Sequence, residues 1–96
     1  MSFEIAIMIV KPSETYFDEL TDELREMILE ARRFPGCMDA QLAISAKHSE
    51  ILVQHKWESR QAQDEYLEWR GERGDLARLS NRLEEEPYFR SFALQQ

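Results

Sequence analysis

His55 and Trp57 stand two residues apart in a segment from Glu50 to Glu58 that reads as a strand. Strand geometry sends every second side chain to one side, so Val53, His55 and Trp57 share a face. An imidazole has an unperturbed pKa near neutrality and could accept a proton from a weakly acidic hydroxyl such as a phenol. Bonding to a backbone carbonyl is its alternative use. The indole beside it offers a flat apolar wall, either of a pocket or of a core. Tyr66, Trp69 and Arg70 follow at helical spacing. The two rings fall on the inward side, as pocket wall or as core. Arg70 and Arg90 could pair an anion, or pair with the abundant glutamates at the surface. Tyr88, next to Pro87, could donate a hydrogen bond. His48 reads as a turn residue, and Cys37 as a half-buried strand residue with no base beside it.

The bulk properties exclude several classes of partner. The chain has 96 residues and a formal net charge of −7, which predicts one small domain over 1–96 with a thin core. The acids are spread through every predicted helix, and no basic stripe exists to release counterions from a nucleic acid. The same charge disfavours an anionic membrane surface. One cysteine cannot build an intrachain disulfide framework. Ser2 and Glu4 stand where a signal sequence would need positive charge, and the longest apolar run, Ile5 to Val10, is far short of a membrane span. A cytoplasmic protein is expected. His48 and His55 lie seven apart across a predicted hairpin without Cys/His ligand spacing, so no metal site is expected. Glycines at 36, 71 and 74 cannot make a phosphate loop or dinucleotide fingerprint, so no cofactor is expected.

The elements that must position these residues follow from periodicity. Phe3 to Lys11 reads as a strand apolar on both parities, hence covered on both sides. Pro12 stops it. Phe17, Leu20, Leu24, Met27, Ile28 and Ala31 form one stripe of an amphipathic helix from Glu14 to Arg33, with Thr15 and Asp18 as a loose capping box. Pro35-Gly36 ends that helix. Cys37 to Ala46 and Glu50 to Glu58 form a hairpin about the turn Lys47-His48-Ser49. Ser59 caps a helix through about Gly71, a shorter helix runs from Asp75 to Glu85, and Tyr88 to Leu94 closes as a strand. The βαββαβ order predicts an α+β, ferredoxin-like domain with a four-stranded antiparallel sheet and helices on one face. Met8 and Val10 are expected on the other, uncovered face, where a second copy pressed sheet to sheet would bury them.

Phe34-Pro35-Gly36 before the second strand, Trp57-Glu58-Ser59 after the third, Tyr66-Leu67-Glu68-Trp69-Arg70 with Gly74, and the closing Pro87, Arg90 and Phe92 carry a resemblance. From about Ile5 to Phe92 the chain resembles the antibiotic biosynthesis monooxygenase family. The resemblance implies a dimeric α+β barrel. It also implies oxidation of electron-rich phenols, quinols or anthrones by molecular oxygen, with neither flavin nor metal. Trp57 matches the family's pocket tryptophan. The best-understood anthrone oxidase has an asparagine four residues before it and a tyrosine six after it; here these are Val53 and Gln63. Haem-degrading relatives carry an asparagine on the first strand, where this chain has Ile5, Ala6, Ile7 and Met8.

The expected site is therefore His55 as proton acceptor and Trp57 as wall, with Val53, Tyr66, Trp69 and Arg70 around a small hydrophobic aromatic substrate and oxygen. The competing readings are a haem-binding or haem-degrading protein, a cofactor-free isomerase or cyclase, and a dimeric ligand-binding module without catalysis.

Overall fold

The computed structural model describes residues 2–95. Strand β1 (Glu4–Val10) leads through a single 3-10 turn (Glu14–Tyr16) into helix α1 (Phe17–Arg32). The hairpin strands β2 (Cys37–Ser45) and β3 (Glu50–Trp57) follow, then helices α2 (Arg60–Arg73) and α3 (Asp75–Ser80), and strand β4 (Tyr88–Ala93). The strands form one antiparallel sheet in the order β2-β3-β1-β4. This is the ferredoxin-like α+β arrangement expected from the pattern, with the second helical unit in two pieces. Among the described residues no helix is long and apolar enough to cross a membrane.

Local chemistry accounts for most boundaries. The Ser59 hydroxyl accepts from the Ala62 N–H at 3.1 Å and caps α2. Gly71 does not end α2; the helix runs on to Arg73 and stops at Gly74, whose φ of +77° is the left-handed C-cap conformation. The expected capping box at Thr15 does not form. The helix entrance is instead the 3-10 turn, closed by the Tyr16 N–H on the Ser13 carbonyl at 2.9 Å. The expected helix from Asp75 to Glu85 is only six residues long. Beyond it the chain is drawn alongside the end of β1: Leu83 bridges to Pro12, the Ser13 N–H donates to Arg82 O, and the Glu84 N–H donates to Lys11 O. The Arg82 side chain reaches Glu19 and Glu23 of α1, at 2.7 Å each. These tertiary bonds override a helical leucine spacing.

Register decides which strand face meets the helices. Met8 pairs with Val53, and Ala6 with His55, so both lie on the same side as Trp57. Ala6, Met8 and Val10 are buried beneath α1 and α2, and Ile5, Ile7 and Ile9 look the other way. The assignment of Met8 and Val10 to the uncovered face is thus reversed. Both parities of β1 are apolar, so its pattern carries no information about direction. The open face carries Ile5, Ile7 and Ile9, with Phe92 and Lys56 beside Ile5, Arg90 and Gln54 beside Ile7, and Tyr88 and Leu52 beside Ile9. On the covered side the core centres on Trp57, Leu20, Leu24, Ile51 and Leu79, all almost wholly buried.

Gly36 permits the close approach that seats α2 behind the sheet. Its φ is +88°, a Cβ there would lie 2.5 Å from the Ala62 Cβ, and its carbonyl accepts from the Glu58 N–H at 2.8 Å. Gly36→Ala therefore combines a strained backbone with a clash. It should lower unfolding stability by about 1–3 kcal/mol in urea titration, whereas Gly71→Ala, at a helical position with open space around it, should stabilise slightly.

Candidate active site

Between the covered face of the sheet and the three helices lies an apolar cavity of about 250 Å³. Its floor is Ala6, Met8, Val53, His55 and Trp57 from the central strands, with Phe89 of β4. Its roof is built from Leu24, Met27 and Ile28 of α1, from Gln63, Tyr66, Leu67 and Arg70 of α2, and from Leu76 and Leu79 of α3. Ala6 faces His55 across the β1–β3 ladder, and the small side chain leaves space beside the imidazole. At this size the cavity is below the usual range for drug-sized ligands, roughly 300–1,000 Å³, and suits a molecule of one or two rings.

Aromatic edges fix the imidazole. The His55 ring meets Tyr66 edge-on at 5.3 Å between centroids and Trp57 at 5.7 Å, with interplanar angles of 88° in both cases. Trp57 and Tyr66 are 4.9 Å apart, and Phe34 packs edge-on against both. Burial of His55, with the positive charge of Arg70 adding to it, pushes its pKa down to about 4. The ring is neutral at physiological pH and presents an unprotonated nitrogen.

Arg70 is the hub of the roof. Its side chain is 1 % exposed. Nε donates to the Tyr66 hydroxyl at 2.7 Å, one terminal nitrogen donates to Glu30 Oε1 and Asp75 Oδ2 at 2.8 Å each, and the other donates to the Met27 carbonyl at 2.8 Å. Four of its five N–H donors are thereby engaged. Burial opposes its charge, but the bonds to Glu30, Tyr66 and Asp75 outweigh burial and raise its pKa further. Burial likewise works against the Asp75 carboxylate, and the arginines at 70, 73 and 78 more than reverse it, leaving its pKa below the ordinary value. Burial raises the pKa of Tyr66, with the Arg70 bond pulling the other way, so the ring stays a phenol.

Two buried polar atoms of the cavity residues find no partner among the described residues: Trp57 Nε1 and Gln63 Oε1. Gln63 spends its amide nitrogen on the Ser91 hydroxyl, tying α2 to β4. Unpaired buried groups cost about 1–3 kcal/mol each and tend to sit where function requires them.

The structure brings Val53, His55, Trp57, Tyr66 and Arg70 together around one space. Trp69 is not part of the cavity wall; it stacks 5.5 Å from Phe34 and carries the Arg70 and Arg73 guanidinium groups on its ring at 4.8 and 4.9 Å. Arg90 lies over the Tyr88 ring at 5.0 Å, on β4 positions that pair with Ile7 and Ile9 of the open face. His48 is exposed in the hairpin turn, and Cys37 is half-buried with its thiol pushed up by burial. Sequence reasoning named Gln63 only as the residue in place of a family tyrosine, and it missed Glu30 and Asp75. The signal for Gln63 was present: residues 63, 66 and 70 recur at helical three- and four-residue steps, one stripe facing the sheet. Among the described residues no group of three His, Cys, Asp or Glu side chains converges to hold a metal ion.

Likeness to known proteins settles the family. The model of the family described as antibiotic biosynthesis monooxygenase matches residues 3–71. The chain belongs to that family. Solved structures share the fold at low sequence identity. Rv0793 from Mycobacterium tuberculosis is 24% identical with a TM-score of 0.82, over 99% of this chain and 97% of that one. A conserved protein from Methanosarcina mazei is 14% identical with a TM-score of 0.88, over 99% and 95%. A structure described as an antibiotic biosynthesis monooxygenase is 14% identical with a TM-score of 0.84, over 97% and 99%. No curated protein matches significantly.

The site makes itself felt in stability. Arg70→Met removes the donor shared by Asp75 and the Tyr66 hydroxyl, while Asp75 keeps Arg73 and Arg78, and should cost about 1–3 kcal/mol in urea unfolding. For His55, the unfolded chain takes up a proton below its ordinary value of 6.5, while the folded chain does so only near 4. Stability is therefore unaffected above that window and falls as pH drops through it, by about 3 kcal/mol in all. His55→Gln should remove this component, and identical stability–pH curves for variant and wild type would contradict the buried neutral imidazole.

Proposed function

We propose that this member of the antibiotic biosynthesis monooxygenase family oxygenates a small hydrophobic phenol, quinol or anthrone-like compound with molecular oxygen and no cofactor. The observation that carries the reading is the apolar cavity of about 250 Å³ walled by Trp57 and holding a neutral imidazole, His55. A tetrapyrrole would not enter a space of that size without displacing the helices, which favours this reading over haem binding.

In this reading the substrate ring lies against Trp57 with its acidic hydroxyl or methylene near His55. The substrate proton passes to the imidazole nitrogen, and the electron pair stays on the substrate. A base held near 4 is weak alone, but the anion forming beside it raises its proton affinity, as an opposite charge does in a low-dielectric site. The anion transfers one electron to oxygen, and the resulting radical pair combines to a peroxide. Loss of water leaves a carbonyl. For a methylene substrate the balance is one dioxygen consumed per methylene, with one oxygen atom kept as the carbonyl. The other oxygen atom leaves as water with both methylene hydrogens. Water exclusion by the apolar walls protects the intermediates.

The same reading includes a homodimer through the open sheet face, because Ile5, Ile7 and Ile9 with Leu52 and Phe92 form a half-buried apolar band on which no helix packs among the described residues. Hydrophobic bands of this kind mark contact surfaces. A cytoplasmic setting fits the single unpaired thiol.

Oxygen uptake by the metal-stripped protein with a panel of quinols and anthrones tests the chemistry. The expected result is uptake above the spontaneous rate, reduced about 10²-fold or more in His55→Ala and in Trp57→Ala. Turnover of a genuine substrate by both variants at the wild-type rate would refute the site assignment. Sedimentation should give a dimer for wild type and a monomer for Ile7→Lys, which places an ammonium in the middle of the band.

A further inference from the structure

We infer that the Tyr66 hydroxyl is the donor that holds an oxyanion in the cavity and that Arg70 is the positioning residue behind it. The ligand is then a weakly acidic hydroxyl compound that ionises in place, and not a carboxylate. This rests on the reading that the cavity receives a phenol-like ligand, and it assigns work that the reading left open.

The geometry is specific. Arg70 Nε donates to Tyr66 Oη at 2.7 Å, so one lone pair of the phenol oxygen is occupied by a cationic donor. The hydroxyl proton must point elsewhere, and among the described residues it has no acceptor. Tyr66 is almost completely buried, and it lines the cavity together with Arg70. A hydroxyl that accepts from a guanidinium is polarised and becomes a stronger donor in turn. Arg70 cannot swing in to do the work itself, since Glu30, Asp75 and the Met27 carbonyl hold it from three sides. Its charge reaches the cavity through the tyrosine.

The opposite role falls to His55, which packs edge-on against the Tyr66 ring and lines the same cavity. A ligand hydroxyl in the cavity beside this pair donates to the imidazole and accepts from Tyr66. When its O–H bond breaks, the proton goes to the imidazole nitrogen and the electron pair remains on the ligand oxygen, under the Tyr66 proton. The ionisable groups facing this point are His55 from β3 and Tyr66 and Arg70 from α2, with Glu30 of α1 and Asp75 of α3 behind Arg70, and Arg73 and Arg78 paired to those acids in turn. A carboxylate arrives already charged. The one cation on the cavity wall, Arg70, spends its donors on Glu30, Asp75, Tyr66 and the Met27 carbonyl, so the carboxylate would be desolvated without a direct charge partner.

The test uses 4-nitrophenol under nitrogen, with the absorbance of its phenolate form followed against pH on each protein. The expected result is an ionisation constant for the bound probe about tenfold or more higher on wild type than on Tyr66→Phe, a shift of about one pH unit. Arg70→Lys keeps the charge but loses the fixed Nε donor, and should fall between them. If that variant does not fold, as circular dichroism will show, Tyr66→Phe decides alone, because it removes a single oxygen. 4-Nitrobenzoate should not displace the probe. Identical titration curves on wild type and Tyr66→Phe would overturn the inference, as would no binding of the probe to wild type or equal affinity for the benzoate. Because no oxygen is present, the outcome is separable from oxygenase activity. A shifted titration with no oxygen uptake would keep the inference and sink the oxygenase reading. Uptake with unshifted titration would do the reverse.

Discussion

The guanidinium of Arg70 is the interaction on which the rest of this molecule depends. It joins three helices at one point: Glu30 and the Met27 carbonyl on α1, Tyr66 on its own helix α2, and Asp75 at the start of α3. Desolvating such a charge is expensive, by several kcal/mol before any compensation. Here the compensation is nearly complete, because two carboxylates, a phenol and a carbonyl take up its donors in short bonds. The arrangement does what apolar packing alone would not. Greasy contacts between α2, α3 and the sheet would close up and fill the space below, while a rigid polar fork holds the helices at a fixed distance. The cavity exists because the roof is hung from a network rather than pressed onto the floor.

That constraint also sets the electrostatics. Arg70, at the edge of an apolar chamber, turns its charge-assisted bonds to Glu30 and Asp75, which Arg73 and Arg78 share, and directs none of them to the chamber. Burial of the imidazole and the charge of Arg70 together keep His55 unprotonated, while burial keeps Tyr66 a phenol despite the arginine bond. The two polar groups on the cavity wall are therefore an acceptor and a donor, both neutral. In the proposed reaction such a pair would receive an uncharged acid and stabilise the anion it becomes. On the opposite side of the sheet Ile5, Ile7 and Ile9 present an apolar row on which no helix packs among the described residues.

Much of the architecture is legible in the sequence. Pro35-Gly36, the stripe from Phe17 to Ala31 and the Ser59 cap each report a local preference that the fold obeys, and the alternation of Val53, His55 and Trp57 reads correctly as one shared face, whose direction toward the helices only the structure supplies. What is not legible depends on partners far along the chain. The direction of β1 is settled by the pairing of Met8 with Val53, and a strand apolar on both parities does not announce it. Leu83 continues a helical spacing, yet Pro12 and Lys11 capture that segment in extended form. Arg70 looks like a surface charge among Glu68, Glu72 and Arg73, because Glu30 lies forty residues away. Trp69 shares a helical spacing with Tyr66, but a three-residue step turns it far enough to stack on Phe34 outside the cavity.

The central claim, that the space roofed by Arg70 receives a phenol with its oxygen beside Tyr66 and His55, is tested most directly by a crystal structure of the protein soaked with 1-naphthol. The account predicts the ring system lying against Trp57 with its oxygen within hydrogen-bond distance of both Tyr66 Oη and a His55 ring nitrogen. Density for the naphthol on the open sheet face, or in the cavity with its oxygen turned away from both residues, would contradict it.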